Sequence, residues 1–217
     1  MKIFDLSMTI QPHWRWEIER VWAKDFDAGD SYQSSVITLS AHAFTHMDKP
    51  LHVIPNQITV DEVPADRLGG TAALLDLTHV NANEKIEAET LEAAGAHIQP
   101  EDIVLLKTGW DLKYEYTSHE YWLNAPYVDE EAARWLAEKD IKAVGFDFPQ
   151  DHGIRLNPIP PLDHLPTHHL ILTKGIYLIE YLCNVHEIKA DRVNFFALPL
   201  KVKGAEGGPV RAFAILP

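Results

Sequence analysis

Between His42 and His52 the chain reads His-Ala-Phe-Thr-His-Met-Asp-Lys-Pro-Leu-His, which sets His42, His46, Asp48 and His52 at His-x3-His-x-Asp-x3-His spacing. Neutral imidazole and ionised carboxylate are what zinc, manganese and iron bind, and such an ion turns water into a nucleophile near neutral pH. One histidine at such a spot reads more simply as a solvated loop residue or as a ring bonded to its own backbone. Four donors this close together favour a metal centre.

The spacing restricts the backbone that can carry it. On a helix, His42 and His46 share one face while Asp48 and His52 share a nearly opposite one. On a straight strand all four point the same way, but the ends stand roughly 33 Å apart at about 3.3 Å per residue. Ligands about 2 Å from an ion cannot be that far apart. Pro50 lacks an N–H and argues against a regular element there. The chain must therefore turn inside the motif. The run from Tyr32 to Ala41 alternates and is β-branched at Val36, Ile37 and Thr38. We expect His42 at a strand end and the remainder in a turn or short helix.

Strands are expected at 2–10, 34–41, 72–78, 103–108, 143–147, 176–179, 194–199 and 210–215, and helices at 87–94, 129–139 and 162–174. Asp129 is the expected N-cap of the second helix, with Ala132, Ala133, Leu136 and Ala137 on its buried side and Trp135 packing at its edge. Gly175 is a natural stop for the third. This mixture predicts an α/β fold, a mixed β-sheet core flanked by helices in one compact domain spanning 1–217. With 217 residues and 46% apolar composition there is ample material for a core, and no window reads as a linker or repeat.

A formal charge of −13 argues against nucleic acid as a partner. No run approaches the roughly 20 apolar residues of a membrane span, and Asp5 and Ser7 stand where a signal peptide needs an apolar stretch. The single cysteine, Cys183, reads as a small core residue of a cytoplasmic protein.

A distant residue usually completes a metal site. The candidates are His168, His169 and, twelve residues beyond the first, Glu180. On a helix His168 and His169 diverge by about 100°, so at most one faces a shared centre. Glu180 closes the apolar run Ile176, Leu178, Ile179 and is either solvated at a strand tip or held by a charge partner, since an unpaired buried carboxylate is very costly.

The run from His42 to His52 resembles the His-x-Gly-Thr-His-x-Asp-x-Pro-x-His signature of the putative cyclase family of metal-dependent hydrolases. That family includes bacterial kynurenine formamidase (arylformamidase), isatin hydrolase and related lactone- and amide-opening enzymes. The likeness extends to Asp5-Leu6-Ser7, Gly145-Phe146-Asp147, 168–180, Leu198-Pro199-Leu200 and 204–211. It implies the family's swivelling β/α/β fold and a homodimer or homotetramer. It also implies one or two divalent ions, zinc or manganese, held by His42, His46, Asp48, His168 and Glu180, with Asp48 and Glu180 bridging where two are present. His52 becomes the general acid/base, and Trp16 a substrate contact. Phe44 stands where the signature has Gly, which implies a reshaped pocket with Phe44 in its wall. Asp151, His152 and His169 receive no role.

The resemblance and the ligand chemistry agree on hydrolysis of a small amide, formamide or cyclic ester or lactam. His52, with an ordinary pKa near 6.5, would pass the proton from water to the leaving atom. N-formylkynurenine is one candidate substrate, and a lactonase- or isatin-hydrolase-like ring opening is the alternative. His46, Asp48 and His168 also spell the two-His-one-carboxylate triad of non-haem iron oxygenases, but His42 and Glu180 would fill its open positions. A non-catalytic metal-binding protein is the other rival, and a spare base at His52 argues against it.

Overall fold

The computed structural model describes residues 1–155 and 159–216. In chain order the described residues form β1 (Lys2–Asp5), β2 (Ile18–Lys24), β3 (Ser34–Leu39), β4 (His46–Asp48), β5 (Gly69–Asp76), β6 (Lys85–Ile86), α1 (Ala88–Ala94) and β7 (Asp102–Lys107). They continue with α2 (His119–Leu123), β8 (Tyr127–Val128), α3 (Glu130–Ala137), β9 (Ile141–Phe146), β10 (Tyr177–Glu180), β11 (Arg192–Pro199) and β12 (Gly207–Leu216).

The runs that are apolar at nearly every position become neighbouring parallel strands, β5, β7, β9 and β10, because both their faces are covered. On one face Leu74, Ile103, Leu105, Ala143 and Ile179 pack together with Met47, Phe195 and Ala212. On the other, Leu75, Val104, Leu106, Val144 and Leu178 meet Leu91 of α1 and Ala132, Ala133 and Leu136 of α3. The eight-stranded sheet has the order β1-β12-β11-β5-β7-β9-β10-β4. β12 is long enough to pair twice: its later part lies between β11 and β1, while Gly207, Gly208 and Pro209 pair with β4. That second pairing closes β12 to β4, leaving β1 outside the ring, and makes the sheet a barrel-like core of mixed strands, the α/β fold expected from the sequence.

Several boundaries differ for local reasons. Asp129 caps α3 as expected, its carboxylate accepting from the Ala132 N–H at 2.8 Å. The helix expected over 162–174 is broken. Pro166 disfavours α-geometry at Leu165, which sits at φ −122° and ψ 75°. A short 3₁₀ turn, Leu162–His164, therefore precedes a π-helical turn at Thr167–Ile171. The strand expected at 34–41 does form, as β3, but it pairs with β2 in a separate two-stranded arm rather than joining the barrel. No helix among the described residues is long and apolar enough to cross a membrane.

Candidate metal centre

The motif is carried by a turn, a strand and a second turn. His42 lies beyond the end of β3, β4 holds His46 and Asp48, and Pro50–His52 is a 3₁₀ turn. The short strand was not foreseen. It puts His46 and Asp48 on one face two residues apart, with Met47 on the barrel side. β10 lies antiparallel to it with Glu180 opposite His46, so the carboxylate ending that apolar strand faces the motif and is 2% exposed. The π-helical turn brings His168 over the same face, a use of π-geometry common at functional sites.

Five donors thereby converge. His46 Nε2 is 3.2 Å from Asp48 Oδ1 and 3.5 Å from Glu180 Oε2. His168 Nε2 is 3.1 Å from Glu180 Oε1 and 3.5 Å from Asp48 Oδ2. His42 Nδ1 lies 2.6 Å from Asp48 Oδ1. Ligand atoms of His46, Asp48 and Glu180 lie within 4.8 Å of one another, as do those of His42, Asp48 and His52, and Asp48 belongs to both groups.

Each of the three inner histidines is held from behind by its other nitrogen. The Phe44 carbonyl faces His46 Nδ1 at 2.8 Å, the Asp151 carboxylate faces His168 Nδ1 at 2.6 Å, and Glu206 faces His42 Nε2 at 3.1 Å. An acceptor on the outer nitrogen fixes the tautomer that leaves the inner nitrogen's lone pair available. Gln150 donates from Nε2 to Glu180, and Asp151 also accepts from the Thr167 N–H and hydroxyl. Gly207 is needed for clearance: a Cβ there would come within 2.8 Å of His42 Cε1 and of the Met47 carbonyl.

The electrostatics test whether a cation fits. Burial opposes charge on His42, but the hydrogen bond and charge of Asp48 outweigh it and raise its pKa to about 9. His168 is raised well above its ordinary value: burial opposes it, and Glu180 and Asp151 prevail. Burial alone would lift the Asp48 carboxyl, but the His46 charge, with the His168 and His42 imidazoles beside it, holds it well below the usual range. Protons on imidazoles thus balance two buried carboxylates, and Asp48 Oδ2 keeps no hydrogen-bond partner. A divalent cation suits this donor set, supplying positive charge and a partner for that orphaned oxygen.

A cavity of about 450 Å³ opens onto the cluster, with Trp16 and Tyr181 in its wall and His52 at its side. The His52 ring lies 4.0 Å from His42 and 5.8 Å from His168, centroid to centroid. Phe44 corrects one expectation. Its ring is 1% exposed and does not line the cavity; it packs behind Trp16, 4.7 Å between centroids. The backbone there has φ 56°, the left-handed conformation in which a glycine is at ease. His169 is exposed, and His152 packs against Tyr127 outside the cavity. Asp151, Gln150 and Glu206 were missed as supports. The signal for the first two was a polar Gln-Asp pair four residues past the end of the apolar strand β9.

The putative cyclase family model matches residues 4–150. The chain belongs to the putative cyclase family. It is 30% identical to kynurenine formamidase of Salinibacter ruber, over 98% of this chain and 96% of that protein. A solved structure described as a potential metal-dependent hydrolase with cyclase activity superposes with TM-score 0.75 at 28% identity, covering 100% of this chain and 99% of its own. Isatin hydrolase A from Labrenzia aggregata shares the fold, with TM-score 0.78 at 24% identity over 98% of this chain and 93% of that one. The likeness to a metal-dependent hydrolase and the clustered His, Asp and Glu side chains together point to a divalent metal.

Proposed function

We propose that this cyclase-family chain opens a small aromatic formamide or ring amide by kynurenine-formamidase-like hydrolysis. It is a metal-dependent hydrolase acting on carbon–nitrogen bonds other than peptide bonds, as its formamidase relatives and its metal-binding groups indicate. The observation that carries the reading is the outward anchoring of His42, His46 and His168, with the inner nitrogens of His46 and His168 facing both buried carboxylates and that of His42 facing Asp48. Zinc or manganese suits imidazole and carboxylate ligands. Asp48, common to both donor groups, supports a second ion beside the first. An iron-oxygenase role is disfavoured because His42 and Glu180 fill the positions oxygen would need. The buried lone Cys183 supports a cytoplasmic setting.

Bound there, a divalent ion supplies a water of lowered pKa and polarises the substrate carbonyl. Among the described residues His52 has no hydrogen bond to hold its ring. Burial lowers its pKa, so it is neutral at pH 7 and able to accept a proton from water. Passing that proton to the leaving nitrogen as the C–N bond breaks yields a carboxylic acid and an amine. Trp16 and Tyr181 offer flat surfaces to an aromatic ring beside the reacting carbonyl.

The test is metal-dependent hydrolysis of formanilide by wild type and His52→Ala. The variant should retain its metal and lose about 10²- to 10⁴-fold in kcat. Unchanged turnover in the variant removes His52 from the reaction. Loss of metal recasts His52 as the ligand that its grouping with His42 and Asp48 permits. No cleavage by the metal-loaded wild type, of formanilide or of any small lactam or lactone, overturns the hydrolase reading.

We further propose a homo-oligomer joined through the β2–β3 arm. Val21 and Val36 form a cross-strand pair on one face of this ribbon and Arg20 and Ile37 on the other. Val21, Val36 and Ile37 are each more than half exposed. A two-stranded ribbon is marginal by itself, and a second copy offers an identical apolar surface to cover it.

A further inference from the structure

Another cavity, of about 420 Å³, shares no lining residue among the described residues with the one over the metal cluster. It opens where the parallel strands β5 and β7 end, beside Asp76 and Lys107, the last register pair of the two strands. Crevices beyond the carboxyl ends of parallel strands are where α/β sheets commonly take ligands.

In a chain of net charge −13 this wall is cationic. Lys107, Lys113 and Lys189 line it with His186, against two carboxylates, Asp76 and Asp191. Asp76 is already committed: Oδ1 accepts from the Thr78 N–H at 3.1 Å and hydroxyl at 2.6 Å, and Oδ2 meets Lys107 Nζ at 2.7 Å. Lys113 and Lys189 form no ion pair among the described residues. Lys113 Nζ donates to the Val80 carbonyl at 2.9 Å and Lys189 Nζ to the His186 carbonyl at 2.8 Å, one bond from each three-donor ammonium. Bracing two carbonyls takes two N–H groups and no charge, so a neutral amide would serve as well.

The surroundings hold these donors in place. Asp147, fully buried, accepts through Oδ2 from the Thr108 and Gly109 N–H groups at 3.0 and 2.8 Å, which fixes the turn that runs along the cavity. Asp111 accepts from the Asn184 N–H at 2.7 Å through Oδ2, and its Oδ1 lies 3.3 Å from His186 Nδ1. His186 Nε2 has no protein partner among the described residues.

We propose that this cavity binds a phosphate group, whose oxygens are received by Lys113, Lys189 and His186 with Lys107 behind them. Separate ammonium groups and an imidazole suit the several oxygens of a tetrahedral anion. A planar carboxylate is better matched by a guanidinium fork, and no arginine lines this cavity among the described residues. The volume leaves room for an organic group beyond the phosphate, and Leu112, exposed along the same wall, gives that group an apolar contact. The site is independent of the reaction at the metal cluster.

The test is calorimetric binding of two probes, inorganic phosphate and phenyl phosphate, to the full metal-loaded chain. Lys113→Gln/Lys189→Gln removes both charges and keeps an N–H for each braced carbonyl. Lys201→Gln/Lys203→Gln removes the same charge from exposed positions outside the cavity. Wild type should bind saturably, and the first variant about tenfold or more weakly, the size of a lost charge-assisted contact. The second variant should match wild type, and all three should share one melting temperature; if the first does not fold, Lys189→Gln alone carries the comparison. Tighter binding of phenyl phosphate supports a phosphorylated small molecule as the occupant, and equal binding of the two probes supports the free ion. Equal binding by wild type and the cavity variant overturns the proposal, as does the absence of saturable binding. A loss of the same size in both variants also overturns it, because net charge then explains the effect. Binding that vanishes when the metal is chelated assigns the phosphate to the metal cluster and overturns it too.

Discussion

Replacing Asp151 by Asn changes one atom's chemistry behind His168 and almost nothing in volume. The carboxylate is fully buried and accepts from the Thr167 N–H at 2.9 Å through Oδ1. Through Oδ2 it faces both the Thr167 hydroxyl at 2.5 Å and His168 Nδ1 at 2.6 Å. An amide cannot satisfy all of these. With its nitrogen at the Oδ1 position, two donors oppose each other across the Thr167 N–H. With its nitrogen at the Oδ2 position, His168 Nδ1 must become the acceptor and its proton moves to Nε2, the nitrogen facing Asp48 and Glu180. The first arrangement leaves a buried donor unpaired at a cost of about 1–3 kcal/mol. The second removes a ligand's lone pair, and changes behind metal ligands typically cost about 10- to 100-fold in affinity. That ratio is about 1.4–2.7 kcal/mol, so the two routes agree. We expect Asp151→Asn to fold and to bind zinc about 10- to 100-fold more weakly, measured by competition with a chromophoric chelator. A folded variant with wild-type affinity would refute the argument that the acceptor behind His168 controls its inner nitrogen.

Metal binding should release protons, because His42 in the metal-free protein titrates at about 9 and His46 and His168 are also raised. Their folded pKa values lie above the unfolded 6.5, so the stability they give the metal-free form is complete below 6.5 and is lost as pH rises through each raised value, about 9 for His42. Metal affinity should climb over the same window; calorimetry in buffers of different ionisation enthalpy reads the proton count, and a buffer-independent heat contradicts it. Phe44→Gly should relieve about 1–2 kcal/mol of left-handed strain but forfeit about 3–5 kcal/mol of buried ring. The melting temperature should therefore fall while the ranking of substrates stays put, and a reordered ranking would return Phe44 to the pocket wall. Light scattering should give a mass of at least two chains for wild type and one for Val21→Asp/Val36→Asp; a monomeric wild type removes the arm's proposed role.

What was legible in the sequence was local. Asp129 three residues before Ala132 announces a capped helix, and unbroken apolar runs such as Ile103 to Leu106 announce strands covered on both faces. The spacing from His42 to His52 announces ligands whose types fix their chemistry. The supports were not legible in the same way. Glu206 meets His42 across 164 residues of chain, and Gln150 meets Glu180 across 30. No periodicity reports such pairings. β2 was hidden because Glu19, Arg20 and Lys24 interrupt its apolar residues in an arm that lies outside the barrel. The π-turn at His168 was read as ordinary helix, since side-chain spacing cannot reveal a widened turn that Pro166 and the Asp151 contacts impose together.

The double pairing of β12 also dictates an order of events. His42, His46 and Asp48 are made early and Glu180 late, yet β4 is flanked in the ring by β10 on one side and by Gly207, Gly208 and Pro209 on the other. Until that last strand arrives, β4 has an open edge and His42 lacks the Glu206 carboxylate that anchors it. During synthesis the ligand-bearing strand must therefore wait for residues more than 150 positions downstream. Non-local pairing of this kind makes folding slow and leaves an unpaired strand edge in the interval. The nascent chain therefore cannot assemble its full ligand set ahead of its fold, and metallation belongs to the finished barrel.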